Sequence, residues 1–350
     1  MSEALNIIDL RHGDKANKDI RPEDIKPEDV LEYRKQHQLG EFANDEIIKQ
    51  LIIDKNGGSF YAQENWDQSL NSDDKSELTY GGIRHAQEFT DEIFKQVELS
   101  PRGKICIFTC SPADRTRETM AVIEDRVNDL MKKNHPERLQ VLKLESLNPA
   151  DFNESVLQDS TYFIFNHKPA EEIGPFSNET LSKVSKILGP SETVGEMLWF
   201  ARPEELDSLK EELKKLYPDA KDFIDGVMPR DYQKPPEAQV MRIVSYYEQL
   251  ISFIQQNFSD RQVDIYNVGH NMILDATTMR LLGFDISAGS VKKLGGEARD
   301  YLEGSKFLVV NGKITVKFRG LENTLSLEDL RGLHEKLQKE ADERKKQWVE

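Results

Sequence analysis

Cysteine is nearly absent from this chain: Cys106 and Cys110 are the only two in 350 residues. If the apolar stretch that carries them is a strand, both point to one face with Cα atoms about 13 Å apart at ~3.3 Å per residue, beyond the reach of a bridge. A disulfide framework and a zinc ligand set are therefore excluded. Long apolar runs are missing too. None approaches the ~18 residues that span a bilayer, and Met1–Leu10 lacks the basic and apolar regions of a secretion signal. A cytoplasmic protein with no membrane partner is expected. Nor is there an excess of basic residues, since 47 Lys+Arg against 63 Asp+Glu leave a net charge of −16, with a pI near 5.1. General nucleic-acid binders need a basic footprint to displace counterions from phosphates. No nucleic-acid partner is expected, and any anion site must be a local cationic cluster.

What is present is a wide, wet surface over a folded core. Hydrophobic residues make up 37% and charged residues 31%, against roughly 45–50% (a figure that also counts Gly) and 25% in an average globular chain. The length suits one large domain with insertions or two ordinary ones. Leu5–Leu10, Lys104–Thr109, Leu139–Leu144 and Val263–Val268 read as buried strands, being short, β-rich and bounded by polar turns. Helical patterns lie between them at Gly81–Val97, Arg115–Lys133 and Ala238–Asn257. This alternation predicts an α/β fold, a three-layer α/β/α arrangement around a mostly parallel sheet. Lys306–Val310 and Lys313–Phe318 flank Asn311-Gly312, a two-residue hairpin turn that adds an antiparallel pair.

Two stretches, about 14–77 and 150–236, look inserted into a domain spanning 1–320. They are too long for plain loops and should fold at least in part as helical caps, the second with helices at Leu181–Leu188 and Pro203–Leu216. Residues 321–350 are expected as a C-terminal helix, whose stripe Leu327, Leu330, Leu333, Leu337 and Ala341 recurs at helical spacing. Packing on its own domain is the first reading of that stripe, and a homodimer contact the second.

Four positions carry chemistry. Arg11-His12-Gly13 follows the first strand, and the carboxyl ends of strands are where open α/β sheets bind ligands. Ser111-Pro112-Ala113-Asp114-Arg115 follows the second and opens a helix, whose N-terminus attracts anions. Gly269-His270-Asn271 follows the last of the four. Glu145 follows the third, where a desolvated carboxyl can act as an acid. Each also has a bland reading, as a solvated loop residue, a helix cap, a core histidine or an ordinary surface Glu.

Taken together, Arg-His-Gly after the first strand, Ser-Pro-x-x-Arg after the second, an acid after the third and Gly-His after the fourth resemble the histidine phosphatase (phosphoglycerate mutase-like) superfamily. Leu78-Thr79-Tyr80-Gly81-Gly82 is similar to the Leu-Thr-x-x-Gly that opens the family's first helix. The resemblance covers roughly residues 1–15, 78–148 and 237–320. It implies a phosphoglycerate mutase-like fold with His12 as a transiently phosphorylated nucleophile, and Arg11, Arg115 and His270 around the phosphoryl oxygens. Glu145 would donate the proton to the leaving group, with Asp151 as second choice. Asn271 stands where the acid phosphatase and phytase branch has an Asp, so the first branch is the better match. Lys18 replaces an Asn common in that branch, and Lys18 and Asn271 are the expected substrate contacts.

The implied activity is metal-independent hydrolysis of a small phosphomonoester, with no cofactor. A mutase-like phosphotransferase and a non-catalytic binder of a phosphorylated ligand or protein are the alternatives.

Overall fold

The computed structural model describes residues 5–11, 27–36, 51, 78, 80–98, 103–134, 139–144, 161–173, 192–226, 234–296 and 302–349. The chain divides into two compact units. The first comprises Met1–Arg11, Ser100–Pro112 and Pro136–Glu350, and the second His12–Leu99 and Ala113–His135.

The first unit is built on a sheet of strands β1 (Leu5–Arg11), β2 (Lys104–Cys110), β3 (Leu139–Leu144), β4 (Thr161–Asn166), β5 (Gln262–Gly269), β6 (Gly304–Val310), β7 (Lys313–Phe318) and β8 (Leu321–Ser326), in the order β3-β4-β2-β5-β1-β6-β7-β8. The five strands from β3 to β1 run parallel. The pairings from β1 through β8 are antiparallel. The chain is thus an α/β protein around a mixed, mostly parallel sheet, as its alternating pattern predicts.

Strands β2 and β4 are buried along their whole length, the environment in which a continuous β-rich run such as KICIFT or TYFIFN is stable. On one face Ile105, Ile107, Ile164, Val263, Ile265 and Ile7 join a single apolar cluster with helical residues of the same unit. On the other, the rings of Phe108, Phe165 and Tyr266 stack across three strands with centroids 4.9 Å apart.

The second unit holds helices α1 (Pro27–Gln36), α2 (Tyr80–Glu98) and α3 (Asp114–Asn134). Helix α2 buries Ala86, Thr90, Ile93, Phe94 and Val97, a stripe at spacings of three and four. It is tied to α3 by Asp91, which accepts from Arg126 Nε and Nη2 at 2.7 and 2.8 Å. That two-point fork raises the Arg126 pKa. In the first unit follow α4 (Glu192–Phe200), α5 (Pro203–Leu216), α6 (Lys221–Gly226), α7 (Pro236–Asn257), α8 (Asn271–Leu281), α9 (Ala288–Lys293) and α10 (Leu327–Val349). Helix α7 opens on Pro235-Pro236, where a proline's fixed φ and missing N–H are harmless. Among the described residues no helix is long and apolar enough to cross a membrane.

The hairpin forms as expected, with Asn311 at φ 50° and Gly312 at φ 74°, the positive pair that a two-residue turn needs. A second such turn, Arg319 (φ 46°) and Gly320 (φ 78°), leads into β8. This corrects the expected helix over 321–350: Leu321–Ser326 is an edge strand, whose Thr324 meets Thr315 across the pair at 3.1 Å. Helix α10 starts only at Leu327, where Ser326 and Asp329 bond reciprocally as a capping box.

The stripe on α10 packs within its own unit. Leu330, Leu337 and Ala341 are buried, and Leu327 and Leu333 lie against the same core. Arg344 anchors the helix with all five N–H groups used: Nε and Nη2 on the Glu237 carboxylate, Nη1 on the Phe200 and Ala201 carbonyls, and Nη2 also on the Ile286 carbonyl. An Arg fork can satisfy such a mixed set, and a Lys could not.

The stretch expected as a cap over 150–236 also departs from expectation. It contains β4, an interior strand between β3 and β2, and α4, whose Val194, Leu198, Trp199 and Phe200 are wholly buried in the main cluster. The helix expected at Pro203–Leu216 is present. Leu181–Leu188 and most of 14–77 lie outside the described residues.

Candidate functional site

The strand order gathers the motifs. Because β5 runs between β2 and β1, its end is flanked by the ends of both, although β1 and β5 are some 250 residues apart in the chain. Arg11, the last residue of β1, is the Cα partner of Gly269. The Ser111 N–H donates to the Val268 carbonyl at 3.0 Å and continues the β2–β5 ladder by one step. Ser111, Gly269 and Arg11 therefore stand abreast at the carboxyl edge, with neighbouring strands about 4.8 Å apart. This is the edge at which open α/β sheets present ligands.

His270 leaves β5 and caps α8 in an extended conformation, its carbonyl accepting from Leu274 N at 3.1 Å. Its side chain and those of Arg11 and Asn271 are buried. Two close approaches shape this edge. A Cβ on Gly269 would lie 3.4 Å from the Ile173 carbonyl oxygen, and one on Gly304, opposite Leu10, would lie 3.0 Å from a Leu10 methyl. The second is too close for any larger residue without displacement. The Arg11 carbonyl in turn accepts from Leu302 N at 3.1 Å.

Arg115 is described in the second unit, as the second residue of α3, half-buried and four residues after Ser111. His12, Lys18, Glu145 and Asp151 lie outside the described residues. His12 follows β1 directly in the chain, and Glu145 follows β3.

Beneath the edge lies a row that the sequence reading missed. Two residues before each of Ser111, Gly269 and Arg11 stand Thr109, Asn267 and Asp9, which are register partners across β2, β5 and β1. All three are wholly buried. Thr109 Oγ1 donates to Asn267 Oδ1 at 2.8 Å, and Asn267 Nδ2 donates to Asp9 Oδ1 at 2.8 Å. From α7, the Tyr246 hydroxyl donates to Asn267 Oδ1 at 3.3 Å, and that of Tyr247 to Asp9 Oδ2. Burial, together with the carboxylates of Asp9 and Glu172, pushes the Tyr246 hydroxyl pKa well up, so it remains a proton donor. The signal in the sequence was a polar residue at the same offset before each motif, inside a largely apolar strand.

The segment after β4 was also missed. His167 N donates to the Leu144 carbonyl at 2.7 Å and Ala170 N to that of Cys110 at 2.8 Å. These bonds lay a 3-10 turn, Glu171–Ile173, against the ends of β2 and β5. Glu172 on this turn is half-buried and near enough to Tyr246 to perturb it. Among the described residues no group of three or more His, Cys, Asp or Glu side chains could hold a metal ion.

No protein-family model and no curated protein matches the chain. Among solved structures it is similar to Mycobacterial hydrolase 1, at 10% identity over 90% of this chain and 96% of that one, with a TM-score of 0.39. The multiple inositol polyphosphate phosphatase of Bifidobacterium longum gives 10% identity over 93% and 90%, with a TM-score of 0.35. The phosphoglycerate mutase of Plasmodium falciparum gives 10% over 71% and 92%, with a TM-score of 0.27. Likeness at this level carries no functional argument.

Proposed function

We propose that the protein is a metal-independent phosphomonoester hydrolase that works through a phosphohistidine on His12. The observation that carries this reading is the strand order, which sets Arg11 and Ser111 on either side of Gly269-His270 at the ligand edge.

In this reading a neutral His12 nitrogen attacks phosphorus as the bond to the leaving oxygen breaks, and an acid protonates that oxygen. Water, deprotonated by the same acid group, then attacks phosphorus, and the P–N bond breaks to release phosphate and restore His12. Charge spreads over the equatorial oxygens during each transfer. Fixed positive groups stabilise it, and Arg11, Arg115 and His270 supply them. Lys18 and Asn271 contact the substrate, a small phosphorylated molecule.

Three residues compete for the acid, Glu145, Asp151 and Glu172. Glu145 follows β3, but the strand beside β2 is β4, and the turn after β4 carries Glu172. Loss of the acid slows substrates with poor leaving groups far more than those with good ones. Glu145→Gln, Asp151→Asn and Glu172→Gln are each compared with wild type on an alkyl and a nitrophenyl phosphate. The variant that loses roughly 100-fold on the alkyl ester and much less on the nitrophenyl ester identifies the acid.

Hydrolysis of para-nitrophenyl phosphate with a chelator present tests the reading as a whole. Activity in the wild type that is lost in His12→Ala supports it. Activity that disappears with the chelator, or survives in His12→Ala, contradicts it.

A further inference from the structure

Helix α7 carries an amide beside the strand ends that neither the motifs nor the row beneath them use. The helix leads into β5 through a turn over 258–261, in which Arg261 N donates to the Phe258 carbonyl at 3.1 Å. Its carboxyl end therefore lies near the amino end of β5, and its earlier turns lie toward the carboxyl edge. Tyr246 marks the level of Asn267, to which its hydroxyl donates at 3.3 Å. Gln239 stands two turns before Tyr246 on the same buried face, about 10 Å along the axis at ~1.5 Å per residue. Gly269 is about 7 Å beyond Asn267 in the same direction, so Gln239 stands at the level of the carboxyl edge. Arg242 ties this part of α7 to the turn after β4, through Nη2 on the Glu171 carbonyl.

Arg242 also orients the amide. Its Nη1 donates to Gln239 Oε1 at 2.9 Å, and because a guanidinium only donates, the amide oxygen must face it. Gln239 is wholly buried, and its Nε2 has no hydrogen-bond partner among the described residues. A buried donor without an acceptor is costly, so folded proteins keep few, and those they keep call for a water or a ligand. Asn271 repeats the pattern. It is buried at the start of α8, which packs on α7, and its Nδ2 likewise has no partner among the described residues. In the phosphatase reading, cations hold the phosphoryl oxygens. Uncharged amide donors suit the uncharged oxygens of the rest of the molecule, where a few such groups set orientation and specificity.

We propose that Gln239 is a specificity-determining residue: its Nε2 donates to a hydroxyl oxygen on the alcohol part of the substrate, so that phosphomonoesters whose alcohol carries a further hydroxyl are preferred. The inference rests on the phosphatase reading above and deepens it by naming the substrate class. A substrate with that hydroxyl satisfies the amide. One without it leaves the amide stranded, and a site of this kind rejects the bare analogue strongly. An apolar side chain of similar shape has no donor to satisfy and loses the means to discriminate.

The test compares hydrolysis of glycerol phosphate with that of propyl phosphate, which lacks the further hydroxyls, by the full chain as wild type and as Gln239→Met. Para-nitrophenyl phosphate serves as the reference substrate. Wild type is expected to favour glycerol phosphate at least roughly tenfold in kcat/KM, and Gln239→Met to reduce that preference to about threefold or less. A merely structural role for Gln239 would slow both esters alike, and an unchanged ratio in the folded variant overturns the proposal. Gln239→Leu is a second apolar replacement, and the same loss of preference is expected of it should the Met variant fail to fold. Wild type that cleaves the reference without favouring glycerol phosphate also overturns the proposal, and leaves the phosphatase reading standing. Wild type that cleaves none of the three overturns that reading, and the inference falls with it.

Discussion

Two rows of polar side chains cross the same three strands, β2, β5 and β1, and they handle a buried carboxylate in different ways. Near the amino ends, Cys106, Asp264 and Asn6 are register partners on one face. Asp264 there meets a cation, Lys104 Nζ at 2.6 Å, and accepts from Asn6 Nδ2 at 2.6 Å. Near the carboxyl ends, Thr109, Asn267 and Asp9 are partners on the opposite face, and Asp9 is held by an amide and a phenol. The first row pairs charge with charge, far from the ligand edge. The second places a carboxyl group two residues below the carboxyl edge, within a hydrogen-bonded row. The contrast teaches that this sheet buries a carboxyl group in two ways, against a cation at one end and in a hydrogen-bonded row under the strand ends at the other.

The largest expected effect separates the rows on stability. Lys104→Met leaves Asp264 buried beside an apolar group, and removing one partner of a buried pair costs about 3–5 kcal/mol. Urea unfolding should show that loss, while kcat/KM of the protein that remains folded stays within about twofold of wild type. A large loss of kcat/KM in folded Lys104→Met would break the comparison. Asn267→Ala is expected to cost less stability, about 2–3 kcal/mol for the groups it leaves unsatisfied. It should also lower kcat/KM of the folded protein by at least roughly tenfold, since the strand ends lose their support.

A smaller effect lies far from both rows and serves as a control. Hydrogen bonds from the Ser326 hydroxyl and N–H hold the Asp329 carboxyl below its usual pKa. A lowered folded-state pKa contributes stability above the unfolded pKa of ~3.9, and that contribution is lost as pH falls through the folded value. Ser326→Ala should therefore shift the urea midpoint slightly downward at pH 7. The gap to wild type should narrow below about pH 4, and activity should not change.

Much of this architecture was legible in the sequence, for reasons that can be stated. Period and composition marked β1, β2 and β5, because buried parallel strands read as short apolar runs, and they marked β3 as well, although it was expected as a buried strand and is an edge strand in which only Leu139 is buried. Asn311-Gly312 marked its hairpin because both residues tolerate positive φ. Strand β4 was hidden although TYFIFN is as β-rich as KICIFT. It sits within a polar stretch, and a six-residue run has no period that distinguishes a strand from a core segment of an insertion. Strand β8 was hidden because the Leu residues of 321–330 also fit a helical stripe, and pairing with β7 decided otherwise.

The candidate site was legible as residues and not as an arrangement. Arg11, Ser111 and His270 could each be selected from a strand end. That β5 inserts between β2 and β1, and so sets them side by side, follows from packing the sheet and from no local pattern. Asp9, Asn267 and Thr109 look like scattered polar residues in largely apolar strands until the register aligns them. Glu172 gains its interest only once the turn after β4 is bonded to Cys110.

The central claim, a phosphohistidine at the carboxyl edge of the sheet, is tested most directly by trapping the enzyme during turnover. Wild type and His12→Asn would be quenched with a slow phosphomonoester at alkaline pH, where phosphohistidine survives, and digested for mass spectrometry. The account predicts a phosphoryl group on His12, labile to acid and absent from the variant. Turnover with the phosphoryl group on another residue, or with none on His12, would contradict it.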